Sequence, residues 1–167
     1  YHHPDSFMQS IYFRWLLPRL LKRCHHVLTV SESVKKQIAE CYCFSEKDIS
    51  VIYNSIDAKE FDNSQKKKPF ILAVGASWKH KNIHTLLDAH DFWQKKYRLI
   101  IVCGRTEYAD FLQQRINSLG LQDLVELKHE LSFSDLKSLY ASAAALVYPS
   151  IDEGFGIPPI EAMASGT

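Results

Sequence analysis

The sequence predicts an α/β fold in which a parallel β-sheet is flanked by helices. Short apolar runs rich in β-branched residues alternate along the chain with segments whose apolar residues recur at helical spacing. Of the 167 residues, 46% are hydrophobic and 23% are charged, which is the balance of an ordinary soluble globular protein. Strands that are apolar throughout are typical of a sheet that helices cover on both faces.

The first part of the chain predicts a helix, a strand, a second helix and a second strand. In residues 7–24 apolar side chains recur at helical spacing, but Pro18 lacks the N–H that would continue a helix. We therefore expect a packed helix that is bent or split at Pro18. Residues 26–30 predict a short buried strand, Ser31 predicts a side-chain cap for the following helix, and residues 49–53 predict the next strand.

A polar segment separates this part from the rest of the chain. Residues 62–69 are polar and charged and end in Pro69, which is the composition of a linker. The lysines at 66–68 predict a solvated face of that linker rather than a phosphate site. We predict the end of one α/β domain and a crossing segment in 1–57, a linker in 58–69, and most of a second α/β domain in 70–167.

Beyond the linker, four predicted strands alternate with three predicted helices. The strands are residues 70–75, 99–103, 124–127 and 144–148. In a parallel sheet the connections at Gly75, Gly104 and Pro149 gather at the carboxyl edge, where open α/β folds bind their ligands. The predicted buried helix faces are Ile83, Leu86, Leu87 and His90; Tyr108, Phe111, Leu112, Ile116 and Leu119; and Leu136, Leu139, Tyr140 and Ala143.

Charge, cysteines and apolar runs argue against several classes of protein. The net charge of +1 offers no broad basic field for nucleic acid. No apolar run approaches the roughly 20 residues that span a bilayer, and no signal peptide opens the sequence, so we expect a cytoplasmic protein. The four cysteines form no C-x-x-C pair. Although Cys41 and Cys43 have histidines nearby in the sequence, we expect reduced thiols and no metal site.

The segment 150–161 has the composition of a phosphate-binding connection between a strand and a helix. Glu153 and Glu161 flank two glycines and a Pro-Pro pair, and proline suits a first helical turn. Because the prolines have no N–H, the amide donors for a phosphate fall in the loop, at Gly154, Phe155, Gly156 and Ile157. The alternative interpretation is that Glu161 is a favourable acid near a helix N-terminus and Glu153 a plain loop charge.

The string Y-P-S-I-D-E-G-F-G-I-P-P-I-E-A-M-A-S-G-T closely resembles the donor-binding motif of family-4 glycosyltransferases. That family has the GT-B fold, built from two Rossmann-like domains, and uses nucleotide-sugar donors without a metal and with retention of anomeric configuration. The resemblance implies that Glu153 contacts the donor sugar, that Glu161 contacts the ribose hydroxyls, and that the loop between them gives backbone contacts. Residues 28–33 and 51–57 are similar to the family's T-V-S-x-x-S segment and interdomain crossing, with Tyr53 and Ser55 in place of proline and glycine.

Residues 74–82 resemble the family's V-G-x-x-x-x-x-K-N segment, which implies that Gly75 borders the donor and that Lys81 neutralises its diphosphate. Many members carry an arginine directly after that glycine, where this chain has Ala76. Lys79 or Arg105 is a candidate for the missing contact, although Arg105 is equally well interpreted as an exposed loop residue.

The segment 125–132 lies where the family's third loop holds the nucleobase, which implies roles for His129, Glu130 and Leu131. The segment Tyr1-His2-His3-Pro4 is similar to the one that follows the family's usual catalytic histidine. We therefore expect a fragment that lacks most of the N-terminal domain and the C-terminal end.

As a whole, the resemblance implies a retaining hexosyltransferase that is similar to bacterial mannosyltransferases of surface polysaccharide synthesis. GDP-mannose is the favoured donor and a UDP-sugar the alternative, no further cofactor is expected, and the acceptor is a glycan or a lipid-linked glycan. The resemblance also suggests peripheral association with the inner face of the membrane through the missing N-terminal domain. One alternative is a non-catalytic nucleotide-binding or scaffold module of the same fold that needs a partner chain. A Rossmann oxidoreductase fits the alternation of strands and helices, but the sequence has no G-x-G-x-x-G fingerprint.

Overall fold

The computed structural model describes residues 11–167, which divide into two compact units at Ser55 and Ile56. The start of the first predicted helix and the Tyr1–Pro4 segment lie outside the described residues. The described part of the first unit contains a π-helical turn, Tyr12–Leu16, then α1, Leu17–Leu21, and β1, Val27–Thr29. It continues with α2, Glu32–Tyr42, a 3₁₀ turn, Glu46–Asp48, and β2, Ile49–Val51, which pairs in parallel with β1.

Pro18 lies in the first turn of α1, directly after the π-helical turn, and the backbone stays helical across this junction, so the helix changes type before Pro18 but is not split. A bend at Pro18 stays a prediction. The prediction that this segment packs with its apolar side chains buried is wrong for most of them. Leu21 is buried, whereas Trp15 is 62% exposed, and Ile11, Tyr12, Phe13, Leu16 and Leu20 are exposed as well. Two strands of three residues offer too little apolar surface to cover such a face. The predicted cap is confirmed, since the Ser31 hydroxyl accepts a hydrogen bond from the Val34 N–H at 3.2 Å.

The second unit contains a four-stranded parallel sheet. Its strands are β3, Phe70–Val74, β4, Arg98–Cys103, β5, Val125–His129, and β6, Ala145–Leu146, in the order β5-β4-β3-β6. Its helices are α3, Ile83–Asp88, α4, Glu107–Ser118, α5, Phe133–Ser142, and α6, Ile157–Ala164. Further 3₁₀ turns span Ala58–Glu60, Lys79–Lys81 and His90–Phe92. The predicted class, a parallel sheet flanked by helices, is confirmed.

The central strand β3 is buried along its whole length and packs on both faces. Ile71 and Ala73 join a core with buried residues of α3, α4 and β4, while Leu72 and Val74 join a second core with Tyr140 of α5 and Ala162 of α6. Because successive side chains of a strand point to opposite faces, one strand supplies the middle of both cores. The continuous apolar run of the sequence reflects this burial.

Two predicted core positions are wrong. Phe111 of α4 is 47% exposed and stacks on Tyr108 with ring centroids 5.9 Å apart. Since α3 ends at Asp88, His90 falls in the next 3₁₀ turn, where its Nδ1 lies 3.0 Å from the Leu87 carbonyl oxygen. Trp93 fills the core instead, and its indole N–H donates to the Leu86 carbonyl at 3.0 Å.

Segment 58–69 belongs to the second unit, and part of it packs on that unit's core. Phe61 is buried in the second core, and the Lys67 ammonium donates to the carbonyl oxygens of Ala141 and Ser165 at 2.9 and 3.2 Å and to the Thr167 hydroxyl at 2.6 Å. Lys67 therefore binds the C-terminal ends of α5 and α6, where a cation is favourable. Lys66, Lys67 and Lys68 are all exposed, as predicted, and the Lys67 ammonium in addition donates to these groups. In residues 11–167 no helix is both long enough and apolar enough to cross a membrane.

Candidate functional site

The strand order places a switch point at the carboxyl ends of β3 and β6. From β3 the chain continues to β4 and β5 on one side, and it then returns to add β6 on the other side of β3. Open α/β sheets bind ligands at such a point, because the connections from the two strands leave toward opposite faces and leave a crevice between them. Lys81 follows β3, and Glu153 follows β6.

The two connections are joined by hydrogen bonds. The Ile151 N–H donates to the His80 carbonyl at 2.9 Å, and the side-chain amide of Asn82 donates to the Pro149 carbonyl at 3.2 Å. Asn82 has a φ of +58°, in the left-handed region, which ends the 3₁₀ turn and begins α3. These hydrogen bonds therefore hold the segment that carries Lys81 against the loop that carries Glu153.

Lys81, Glu153 and Tyr148 form one contact group, although Lys81 and Glu153 are 72 positions apart in the sequence. The Lys81 ammonium lies 2.5 Å from Oε1 of Glu153, and the Tyr148 hydroxyl donates to the same oxygen at 2.6 Å. The two charged side chains are 17% and 25% exposed. Partial burial weakens screening by solvent, so this pair interacts more strongly than an exposed one.

The neighbours of Glu153 favour its ionised form. Burial raises the pKa of the Glu153 carboxyl, but hydrogen bonds from Lys81, Tyr148 and Ser150, with the charge of Lys81, outweigh burial and lower the pKa below its ordinary value of 4.5. The pKa of the Tyr148 hydroxyl is raised by burial and by the adjacent Glu153. At neutral pH the site therefore holds a carboxylate, and the Tyr148 hydroxyl donates a hydrogen bond to it.

Gly75 lies directly under the stem of Lys81. Its φ is +79°, which side chains with a Cβ rarely adopt, and a Cβ at this position would stand 3.9 Å from Cε of Lys81. Ala76 is fully buried in the first core. The constraint at Gly75 is therefore its positive φ, since a Cβ there would make only an ordinary van der Waals contact with the Lys81 stem.

Glu161 of α6 is held by a hydrogen bond from α5. Gly156 precedes α6 with a φ of +84°, and the prolines stand in the first turn of α6 as the sequence predicted. The Glu161 carboxylate accepts a hydrogen bond from the Tyr140 hydroxyl at 2.8 Å, and Tyr140 is completely buried. Of the intervening loop, Gly154 and Ile157 are exposed, while Phe155 and Gly156 are half-buried.

Arg105 and Glu130 contact each other in a separate pair at the ends of β4 and β5. The Arg105 Nε lies 3.6 Å from Oε1 of Glu130, and the side chains are 74% and 68% exposed. Glu130 has a φ of +53°, and the next residue, Leu131, is half-buried. The described contacts thus join Arg105 to Glu130 and not to the contact group of Lys81, Glu153 and Tyr148. A role for Arg105, Glu130 or Leu131 toward a ligand stays a prediction.

Two residues of this site had not been assigned from the sequence. Tyr148 and Tyr140 each donate to one of the two motif glutamates, yet each falls in an apolar run that predicts a buried core position. The only available signal was that a buried tyrosine hydroxyl needs a hydrogen-bond partner. Among the described residues, no group of three or more histidine, cysteine, aspartate or glutamate side chains is arranged to hold a metal ion.

Comparison with known proteins places this site in a family. The model of the family described as "Glycosyl transferases group 1" matches residues 55–167, and the model described as "Glycosyltransferase Family 4" matches residues 1–60. The chain belongs to the group 1 glycosyltransferases. It is 57% identical over 167 residues to the O-antigen chain mannosyltransferase RfbU of Salmonella typhimurium. That match covers 100% of the chain and 47% of the relative, so the chain spans about half of the relative's length.

Solved structures confirm the GT-B fold. The sucrose-phosphate synthase of Thermosynechococcus elongatus is similar with a TM-score of 0.78 at 22% identity, over 98% of this chain and 45% of that one. The HepE protein of Anabaena, solved in complex with UDP-glucose, is similar with a TM-score of 0.75 at 20% identity, over 97% of this chain and 50% of that one. At these identities the likeness concerns the fold.

Proposed function

We propose that this chain is the donor-binding portion of a retaining glycosyltransferase that transfers mannose from GDP-mannose to a glycan or lipid-linked acceptor. The observation that carries this proposal is the contact of Lys81 with Glu153 at the switch point of the sheet, directly before the loop 154–157. It brings a cation for a diphosphate next to a carboxylate for sugar hydroxyls. The assignment of 70–167 to the donor side and of 1–57 to the acceptor side belongs to the same proposal.

The chemistry of sugar transfer suits these groups. As the bond from sugar to diphosphate breaks, negative charge grows on the phosphate oxygens and the sugar becomes oxocarbenium-like. Lys81 stabilises the growing negative charge, and the amides of the loop 154–157 add donors at the positive end of the α6 dipole. Glu153 accepts hydrogen bonds from sugar hydroxyls, and Glu161 accepts them from the ribose. The residues of this site perform this chemistry without a metal.

Mannose is the favoured sugar because of the similarity to an O-antigen chain mannosyltransferase, whose relation to this chain extends over all 167 residues. A UDP-sugar is the alternative donor, since a protein of the same fold was solved with UDP-glucose. The acceptor is then a growing surface glycan or its lipid-linked precursor. Such an acceptor fits a protein in the cytoplasm at the inner face of the membrane, which is part of the proposal.

A donor screen on the full-length protein that carries this chain tests the proposal. The melting temperature is measured with GDP-mannose, UDP-glucose and ADP-glucose, since a ligand that binds the folded state raises it. We expect the largest increase with GDP-mannose, and we expect Glu161→Ala to reduce the increase because it removes the ribose contact. Product analysis by NMR should then show an α-mannoside, the retained configuration. If no nucleotide-sugar raises the melting temperature, the proposal is wrong.

A further inference from the structure

Each glutamate of the motif is held by a tyrosine from another element. Tyr148 follows β6 and donates to Oε1 of Glu153 at 2.6 Å, while Tyr140 lies in α5 and donates to Oε2 of Glu161 at 2.8 Å. A hydroxyl that donates to an ionised carboxylate makes a shorter and stronger hydrogen bond than a neutral pair. Both glutamates thus have one oxygen engaged by the protein, which limits the directions in which the other oxygen can point.

The two tyrosines stand in different surroundings. The Lys81 ammonium is 5.6 Å from the Tyr148 ring centroid and 3.5 Å from its hydroxyl. The same ring borders the turn before α6, since a Cβ at Gly156 would stand 3.8 Å from its Cε1. Tyr148 therefore contacts the lysine and the first glutamate and borders the glycine loop. These are the groups proposed for the sugar and the diphosphate.

Tyr140 is enclosed in the second core with Leu72 and Ala162. A buried hydroxyl without a partner is costly, so the core fixes the ring and the hydroxyl fixes the carboxylate of Glu161. The pKa values of both tyrosines are raised, first by burial and then by the neighbouring glutamate. Both hydroxyls therefore remain protonated and act as donors at neutral pH.

We propose that Tyr148 and Tyr140 are positioning residues that act through Glu153 and Glu161, Tyr148 on the sugar end of the donor and Tyr140 on its nucleoside end. This inference rests on the proposed function, since it takes the roles of the two glutamates from it. Neither tyrosine needs to touch the donor. Because the two ends of a nucleotide-sugar contribute differently to binding and to reaction, the loss of each hydroxyl should affect a different kinetic parameter.

Tyrosine-to-phenylalanine variants of the full-length protein test this separation. For Tyr148→Phe we expect kcat with GDP-mannose to fall about tenfold to a hundredfold, with the Kd of GDP changed by less than about threefold. For Tyr140→Phe we expect the Kd of GDP to rise about tenfold, with kcat at saturating donor within about threefold of wild type. If the donor screen selects UDP-glucose, UDP-glucose and UDP replace these ligands.

Double variants show whether each tyrosine acts through its glutamate. If it does, Tyr148→Phe adds no further loss to Glu153→Ala, and Tyr140→Phe adds none to Glu161→Ala, because alanine already removes the acceptor to which the tyrosine hydroxyl donates. Tyr108→Phe is the matched control. It removes a hydroxyl of the same unit that lies 3.0 Å from Nδ1 of His84 and accepts from the His84 backbone N–H at 3.3 Å, so its described hydrogen bonds involve neither glutamate.

The outcomes separate the two proposals. If wild-type protein binds GDP or UDP and transfers sugar, but the losses in the double variants add, or both tyrosine variants behave like Tyr108→Phe, the positioning inference is wrong and the proposed function stands. A change of the same parameter in both variants also overturns the inference. If wild-type protein binds neither nucleotide, the proposed function fails and the inference fails with it.

Discussion

Two opposite charges define the site at the scale of single residues. Lys81 and Glu153 are partners in this structure, at 2.5 Å, and neither is fully exposed. A nucleotide-sugar offers each of them a new partner, a diphosphate for the ammonium and hydroxyl groups for the carboxylate. Donor binding would then replace one ion pair by two separate contacts, and Tyr148 remains as a hydrogen-bond donor to the carboxylate.

The sequence predicted the chemical type of these residues but not their partners. Lys81, Glu153 and Glu161 each stand in a recognisable local pattern, so each was a candidate on its own. Tyr148 and Tyr140 were missed because a tyrosine in an apolar run resembles any other core residue. The direction of its hydroxyl depends on packing between elements that are distant in sequence. Arg105 shows the same limit, since its contact with Glu130 arises from neighbouring strand ends.

The lowered pKa of Glu153 predicts an effect on stability in acid. A carboxyl whose pKa is lower in the folded state adds stability above its unfolded value, near 4.5, and loses that contribution as the pH falls through the folded value. As the pH is lowered from about 7 to about 3, the melting temperature of wild type should therefore fall by more than that of Glu153→Gln.

Glu126→Gln is the control for this measurement. Glu126 is exposed and pairs with Lys128 at 2.6 Å, and surface pairs contribute little to stability. Its melting temperatures should follow those of wild type across the range. Curves of Glu153→Gln that run parallel to wild type at every pH would contradict the account of the Glu153 environment.

At the scale of elements, burial decides what the sequence could predict. The strands β3, β4 and β5 were found within one or two residues because each is a continuous or alternating apolar run between turn residues. The region after β3 was predicted less well. A helix face was expected to include His90, but α3 stops at Asp88, and Trp93 enters the core after a 3₁₀ turn. The segment after α3 is irregular, so its apolar residues have no helical or strand spacing from which their burial could be predicted.

The turn before α6 gives a test at this scale. Gly156 and Gly120 both have positive φ, +84° and +68°, and at neither would a Cβ meet an atom closer than 3.8 Å. Each Gly→Ala variant should lose about 1–2 kcal/mol of unfolding free energy, because the left-handed region is strained for alanine. We expect Gly156→Ala alone to weaken GDP binding, since relaxing the strain displaces the loop 154–157. Denaturant titration and calorimetry measure the two effects.

Gly120 follows α4, remote in sequence from the motif, and so serves as the matched control. Equal loss of stability in both variants with unchanged GDP affinity would show that the conformation of Gly156 does not matter for the ligand.

For the whole molecule, the fold class could be predicted, but the order of the strands could not. Alternating strands and helices indicate a parallel sheet, yet this pattern does not determine on which side of β3 the last strand pairs. The order β5-β4-β3-β6 puts the loops after β3 and β6 side by side, which brings Lys81 next to Glu153. The resemblance of separate motifs to one family implies that Lys81 and Glu153 contact the same donor, but it does not give the strand order that brings them together.

The central claim is that the Lys81–Glu153 pair marks the diphosphate and sugar end of a donor site. Isothermal titration of GDP and guanosine onto the full-length protein tests it most directly, with wild type, Lys81→Met and Lys96→Met. Lys96 precedes the amino end of β4, so it lies at the edge of the sheet opposite the site and serves as the control.

Lys81→Met removes a charge-assisted contact, so the Kd of the variant for GDP should rise about tenfold or more. Its Kd for guanosine should change by less than about twofold, because guanosine has no phosphate. Lys96→Met should match wild type for both ligands. GDP affinity that is unchanged in Lys81→Met, or an equal loss for GDP and guanosine, would contradict the claim.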